Sequence, residues 1–256
     1  MNDRAVLKQI RECRPLVHCI SNIVSANDCA NLLLSVGASP MMAQACEEME
    51  EIAAISSAAV LNTGTPDAAR FRLCALRGRL ARERGTPVVL DPVGVGACRW
   101  RRDQLKSMLS EFRPSIVRVN LSEALALLGS ASVERGVDNN AGSSCDAGDA
   151  AQKLARNLDC TVLLSGDADH ISDGRRSLCV HGGSAMMTMV TGSGCMLSAL
   201  CGAFAAVESD VFRAACLASQ FWKACAAQAE NYVGRRAPGS FRIALMDAAH
   251  QISMDV

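Results

Sequence analysis

The 256-residue chain is half hydrophobic and one fifth charged, which excludes a mainly disordered protein and leaves room for one large α/β domain or two small ones. Its 26 basic and 26 acidic side chains cancel, so composition announces no polyanion-binding surface and no nucleic-acid partner is expected. Thirteen cysteines are an odd number with no Cys-x-x-Cys spacing. Cys19, Cys29, Cys74, Cys201, Cys216 and Cys225 sit among Ala, Leu and Ile, where free cysteine behaves as a small buried hydrophobe, so a reducing compartment is expected.

The N-terminal stretch carries charges at Asp3, Arg4, Lys8, Arg11 and Glu12 with no apolar signal segment behind it, and no uninterrupted apolar run approaches the roughly eighteen residues of a membrane span. A cytoplasmic protein with no membrane partner is the expectation. Beyond this stretch, short apolar runs alternate with helical spacing, the mark of βα units. Helical spacing covers 47–57, and Ala58-Ala59-Val60-Leu61 then reads as a strand ending at Asn62. A helix over 68–84 follows, then a strand over 87–90 ending at Asp91 and a helix over 104–111. A strand over 115–119 ends at Asn120 before a helix over 122–128, and residues 137–148 read as a loop. A helix over 149–158 leads to a strand over 161–164 ending at Ser165-Gly166. The Asp173-Gly174 pair between 170–172 and 177–180 predicts an antiparallel hairpin at one sheet edge. The roughly thirty-residue spacing of the strands suits right-handed crossovers in one mostly parallel sheet, and a single domain over 1–256 is expected.

In an open α/β sheet, ligands bind beyond the carboxyl ends of the strands. Asn62, Asp91, Asn120 and Ser165 are all polar and should crowd around one crevice; any one alone is simply a strand end leaving the core. The sharpest local signal is Thr191-Gly192-Ser193-Gly194-Cys195 ahead of an apolar helix. It suits an anion held by the N–H groups of the first helical turn, or a plain glycine turn before a buried helix. Cys195 falls at the positive end of that helix dipole, which is expected to lower its thiol pKa. None of the four lysines, Lys8, Lys106, Lys153 and Lys223, follows a glycine, so there is no Walker loop, and Arg99 spoils the dinucleotide-like Gly94-Val95-Gly96 run. Glu123, in the first turn of a helix, reads either as a magnesium ligand or as a helix-capping charge. The four histidines have no zinc-ligand spacing.

Five segments carry a specific resemblance: Val17-His18-Cys19-Ile20-Ser21-Asn22, Gly37-Ala38-Ser39-Pro40-Met41-Met42-Ala43, Val89-Leu90-Asp91-Pro92-Val93-Gly94-Val95-Gly96-Ala97, Met186-Met187-Thr188 with 190–198, and Pro238-Gly239-Ser240-Phe241. The chain resembles the hydroxyethylthiazole kinase family of thiamine biosynthesis, within the ribokinase-like superfamily. The resemblance implies a three-layer α/β fold with helices on both faces of the sheet. It implies ATP-dependent phosphorylation of a thiazole alcohol with Mg²⁺ as cofactor, and Cys195 acting on the reacting hydroxyl where other superfamily members carry Asp. Asn22, Met42 and Gly192 would contact the alcohol, Arg118, Ser165 and Gly194 would contact ATP, and Asp91 and Glu123 would serve the metal. Val119 stands where the family has glycine and adds a β-branched side chain beside the implied ATP site. A closed homotrimer with the thiazole pocket between subunits is also implied, with Met41 and Met42 expected in an exposed loop. The alternatives are a pyrimidine- or sugar-alcohol kinase of the same superfamily, and a catalytically silent thiazole- or nucleotide-binding protein.

Overall fold

Strand pleating decides the architecture, because alternate residues of each strand feed opposite cores. The computed structural model describes residues 3–129 and 144–255. In β1 (Leu16–Ile20) Val17 and Cys19 face one side and Ile20 the other; in β3 (Ala58–Asn62) Ala58 and Val60 face the first side, Ala59 and Leu61 the second. The same alternation runs through β4 (Val88–Asp91), β5 (Ile116–Val119) and β6 (Thr161–Leu164). Strands buried on both faces read as continuous apolar runs, which is why they stand out in the sequence.

The first core is closed by α1 (Asp3–Cys13), α2 (Ala26–Ser35), α8 (Ser193–Ala205), α9 (Val211–Val233) and α10 (Pro238–Met254). The second is closed by α3 (Met49–Ile55), α4 (Ala68–Arg84), α5 (Arg99–Leu109), α6 (Leu121–Leu127) and α7 (Ser144–Leu158). Helices thus cover both faces of one eight-stranded sheet, in which β2 (Ser39–Met41) lies at one edge and the hairpin β7 (Asp169–Ser172) and β8 (Ser177–Val180) at the other. The spatial order is β2-β1-β3-β4-β5-β6-β7-β8; pairing is parallel from β2 to β6 and antiparallel from β6 to β8. Among the described residues no helix is long and apolar enough to cross a membrane, and the six cysteines expected in the core are buried and free.

Several boundaries differ from the sequence expectation. α5 begins at Arg99 rather than 104, because its first turn, three arginines around Trp100, has no apolar period; Leu105 and Met108 are its buried residues. α7 begins at Ser144, so 144–148 is helix rather than loop, while 137–143 lies outside the described residues. The helix expected over 47–57 is a 3₁₀ turn (Cys46–Glu48) followed by the shorter α3.

Candidate active site

The pleat that fills the two cores also aims the site. Continuing the alternation past the last apolar residues turns Asn62 and Asp91 to the face beneath α8, with Arg118 on the same face one strand further along. Val119 points the other way and is fully buried in the second core, so its side chain does not enter the crevice on the α8 side.

From above, the turn before α8 brings down Cys195. Gly192 is the N-cap, with φ of 80°, a left-handed conformation that favours glycine. A Cβ there would sit 2.7 Å from Cβ of Ser25. Gly194 has a different reason: a Cβ would lie 2.2 Å from the Arg118 guanidinium, so the missing side chain lets the arginine pass directly under the first turn of the helix.

Asn62 is the hinge of the cluster. Its Nδ2 donates to Asp91 Oδ2 (2.8 Å) and reaches Cys195 Sγ (3.2 Å). Asn22 Nδ2 donates to Asn62 Oδ1 (3.0 Å) and lies 3.4 Å from the same sulfur. The amide orientations are fixed by the backbone: Asn22 Oδ1 accepts from the N–H groups of Val24 and Ser25, and Asn62 Oδ1 accepts from that of Gly64. Both nitrogens therefore face the thiol. Ser198, one turn beyond Gly194, donates to Asp91 Oδ2 (2.9 Å), and Arg118 Nη1 lies 3.6 Å from Asp91 Oδ1 while its Nη2 donates to Ser165 Oγ (2.6 Å).

The electrostatics correct one expectation. Burial, and then the neighbouring Asp91 carboxylate, push the Cys195 thiol up to about 11, outweighing Arg118 and the Asn62 amide. The helix N-terminus does not produce the lowered thiol pKa expected from the sequence. Burial would lower Arg118, but Asp91 and Glu123 raise it above the ordinary arginine value. Glu123 is pushed up to about 7 by burial against the pull of Arg118. It is also a cap: Asn120 Oδ1 accepts from the Glu123 N–H, Glu123 Oε2 accepts from the Asn120 N–H, and Glu123 Oε1 accepts from that of Gly94.

Met41 and Met42 also differ from expectation. Met41 ends the edge strand β2 instead of lying in a loop, and Met42 is half-buried against the α8-side core. Ser165 directly follows β6, and the loop after it is tied down by α9: Lys223 Nζ donates to the carbonyls of Gly166 and Asp167 and pairs with Asp169 (3.2 Å), which also accepts from Ser219. Ser198, Lys223, Asp169 and Ser219 escaped sequence reasoning. A serine one helical turn after Gly194, inside the apolar run 196–205, was the available signal for Ser198.

The site thus joins a thiol, two amides, a buried arginine and carboxylates at the strand ends. Comparison with known proteins places these features in context. The model of the hydroxyethylthiazole kinase family matches residues 7–255. A hydroxyethylthiazole kinase of Listeria monocytogenes serotype 4a is 45% identical over 255 residues, covering 100% of this chain and 94% of the relative. One from Haemophilus influenzae is 43% identical, covering 96% of this chain and 93% of its own. Among solved structures, hydroxyethylthiazole kinase from Pyrococcus horikoshii OT3 superposes with a TM-score of 0.89 at 38% identity, over 97% of this chain and 92% of that one. A ribokinase-like superfamily protein from Enterococcus faecalis V583, 10% identical with a TM-score of 0.62 over 97% of this chain and 94% of that one, shares the fold.

Proposed function

The chain belongs to the hydroxyethylthiazole kinase family, and we propose that it transfers the terminal phosphoryl group of ATP to the primary hydroxyl of 4-methyl-5-(2-hydroxyethyl)thiazole, forming the thiazole phosphate used to build thiamine phosphate. The observation that carries this reading is the convergence of Cys195, Asn22 and Asn62 directly beside the Asp91–Arg118 pair. An acceptor hydroxyl and a polyphosphate can meet there.

In this reading the alcohol lies against Asn22, Met42 and Gly192, with its hydroxyl at Cys195. A thiol held near 11 is protonated at neutral pH, so Cys195 orients the hydroxyl by hydrogen bonding more than it removes a proton beforehand. Phosphoryl transfer passes through a loose transition state that needs positioning and charge stabilisation more than a strong base. ATP is assigned to Arg118, Ser165 and the turn at Gly194. Arg118 and the N–H groups of the first turn of α8 face the charge that develops on the transferring group.

Asp91 Oδ1 is a fully buried carboxylate oxygen with no hydrogen-bond partner, the hard oxygen donor that Mg²⁺ takes together with water and phosphate oxygens. Asp91 would hold the ion, with Glu123 behind it; when bound, Mg²⁺ neutralises phosphate charge. Both oxygens of Glu123 already accept backbone N–H bonds, so it fits best as a partner acting through water. The alcohol pocket is assigned to the boundary between subunits of a homotrimer in the cytoplasm. In support, Ile23 and Val24, next to Asn22, expose large apolar side chains (80% and 55%), and Met42 is incompletely covered.

Purified protein with Mg-ATP and the thiazole alcohol should yield ADP and the thiazole phosphate, with hydroxymethylpyrimidine and sugar alcohols turned over far more slowly. Faster turnover of the pyrimidine or sugar alcohols would favour the related-kinase alternative, and nucleotide binding without turnover the silent binder. Light scattering over a concentration series tests the assembly; a fully active monomer at assay concentration would sink the shared pocket.

A further inference from the structure

On the opposite face of β1 from Cys19, His18 and Arg77 are buried together with no exposed surface. Arg77 Nε donates to His18 Nδ1 (2.9 Å), and His18 Nε2 lies 3.0 Å from the carbonyl oxygen of Ala43. An arginine cannot accept a hydrogen bond and a carbonyl cannot donate one, so the tautomer is forced: Nδ1 is bare and Nε2 carries the proton. Burial pushes the imidazole down to about 4, with Arg77 adding to that fall, so it is neutral at pH 7.

The arrangement is expensive for a packing element. Both terminal nitrogens of Arg77 are buried without a hydrogen-bond partner, where a leucine or methionine of similar volume would bury no charge and no unpaired donors. What the pair holds is specific. Met41 is the ladder partner of His18 in the β1–β2 pairing, and Ala43 is bonded to the His18 side chain. One histidine therefore grips the chain on either side of Met42, at the point where the edge strand leaves the sheet. On the outer side the next residue, Gln44, is tied to Ser21 and Arg70.

We propose that the buried Arg77–His18 pair is a positioning device for the alcohol pocket, fixing the 41–43 segment so that Met42 meets the substrate. This rests on the reading of Met42 as an alcohol contact. His18 and Arg77 touch no substrate; their effect passes through the backbone of Ala43.

The test compares His18→Leu, His18→Gln and Met42→Ala by steady-state kinetics, with melting temperature recorded for each. His18→Leu should raise KM for the thiazole alcohol about tenfold, the loss of one well-placed hydrogen bond. KM for ATP should stay within twofold. Glutamine, whose amide nitrogen can replace Nε2–H, should restore most of the alcohol KM. A lowered melting temperature with both KM values unchanged, or equal rises in both, overturns the proposal. If Met42→Ala raises the alcohol KM and His18→Leu does not, the positioning role alone falls; if Met42→Ala has no effect, the Met42 reading falls and this route with it. Should the leucine variant fail to fold, ¹⁵N NMR of histidine-labelled wild-type protein at pH 7 decides: a His18 ring protonated at Nδ1 overturns the proposal, and a ring protonated only at Nε2, together with rescue by the glutamine variant of the Arg77→Met kinetic defect towards the alcohol, supports it.

Discussion

Around Cys195 the contacting groups are neutral, two asparagine amides and the thiol itself, whereas a few ångströms along the same crevice Arg118 is surrounded by charge, with Asp91 beside it and Glu123 and Asp169 near enough to raise its pKa. The first half suits an uncharged heteroaromatic alcohol; the second suits a polyphosphate. Asn62 and Asp91 form the seam, since Asn62 donates to both the thiol and the carboxylate. On the proposed function, the contrast means that the two substrates would be separated by electrostatic character before any shape discrimination acts. Changes in the charged half should therefore register mainly against ATP, and changes in the neutral half against turnover or the alcohol.

The strongest way to break that division is Arg118→Met. It should lower kcat/KM for ATP on the order of a thousandfold, the scale of losing an arginine that stabilises the transferring phosphoryl group, while calorimetric affinity for the alcohol changes little. Lysine at 118 should recover only part, because it cannot span Asp91 and Ser165 with one planar fork. Next in size, Cys195→Ala should reduce kcat about a hundredfold with alcohol binding nearly intact, as expected when a group acts on the reacting hydroxyl. Equal loss of alcohol binding would make Cys195 a packing residue. Asn62→Ala cuts the seam: both KM values should rise, and stability should fall by about 1–3 kcal/mol in urea titrations, because buried Asp91 loses a donor.

The smallest effect concerns the thiol. Exposed Cys46 and Cys98 should be alkylated well before Cys195 at pH 8, as read by peptide mass mapping. The sign of the linked stability follows. Burial raises Cys195 to about 11 and also raises Cys19, Cys74 and Cys216. Above about pH 9 the unfolded chain therefore loses thiol protons that the folded chain keeps. Melting temperature should decline as pH rises from 9 to 11, and Cys195→Ala should blunt the decline slightly.

The central strands β3 to β6 were legible because double burial writes them as unbroken apolar runs bounded by polar residues. β1 was hidden by His18 in its middle, whose burial depends on Arg77 from a helix 59 residues away. β2 was hidden by having three residues, one of them proline. α9 and α10 gave little amphipathic contrast, since alanine and cysteine line much of the buried surface. At the site, strand-end logic placed Asn62 and Asp91 together, and the glycine turn placed Cys195 above them. The thiol pKa was misjudged because a sequence shows the helix start but not the depth of burial or the carboxylate opposite. Glu123 was left as ligand or cap, and the cap is present in full.

The bond between Asn22 and Cys195 spans 173 residues, and that between Asn62 and Cys195 spans 133. A ribosome adding about 5–20 residues per second takes on the order of ten seconds to make the second span. Until α8 is made, the nascent chain presents Asn22, Asn62 and Asp91 without Cys195 above them, and a truncated product ending before α8 and its N-cap lacks both Gly192 and Cys195. Kinase activity in a cell would thus count only chains whose late-made helix has docked onto the early-made strands, making turnover a direct gauge of completed synthesis and folding.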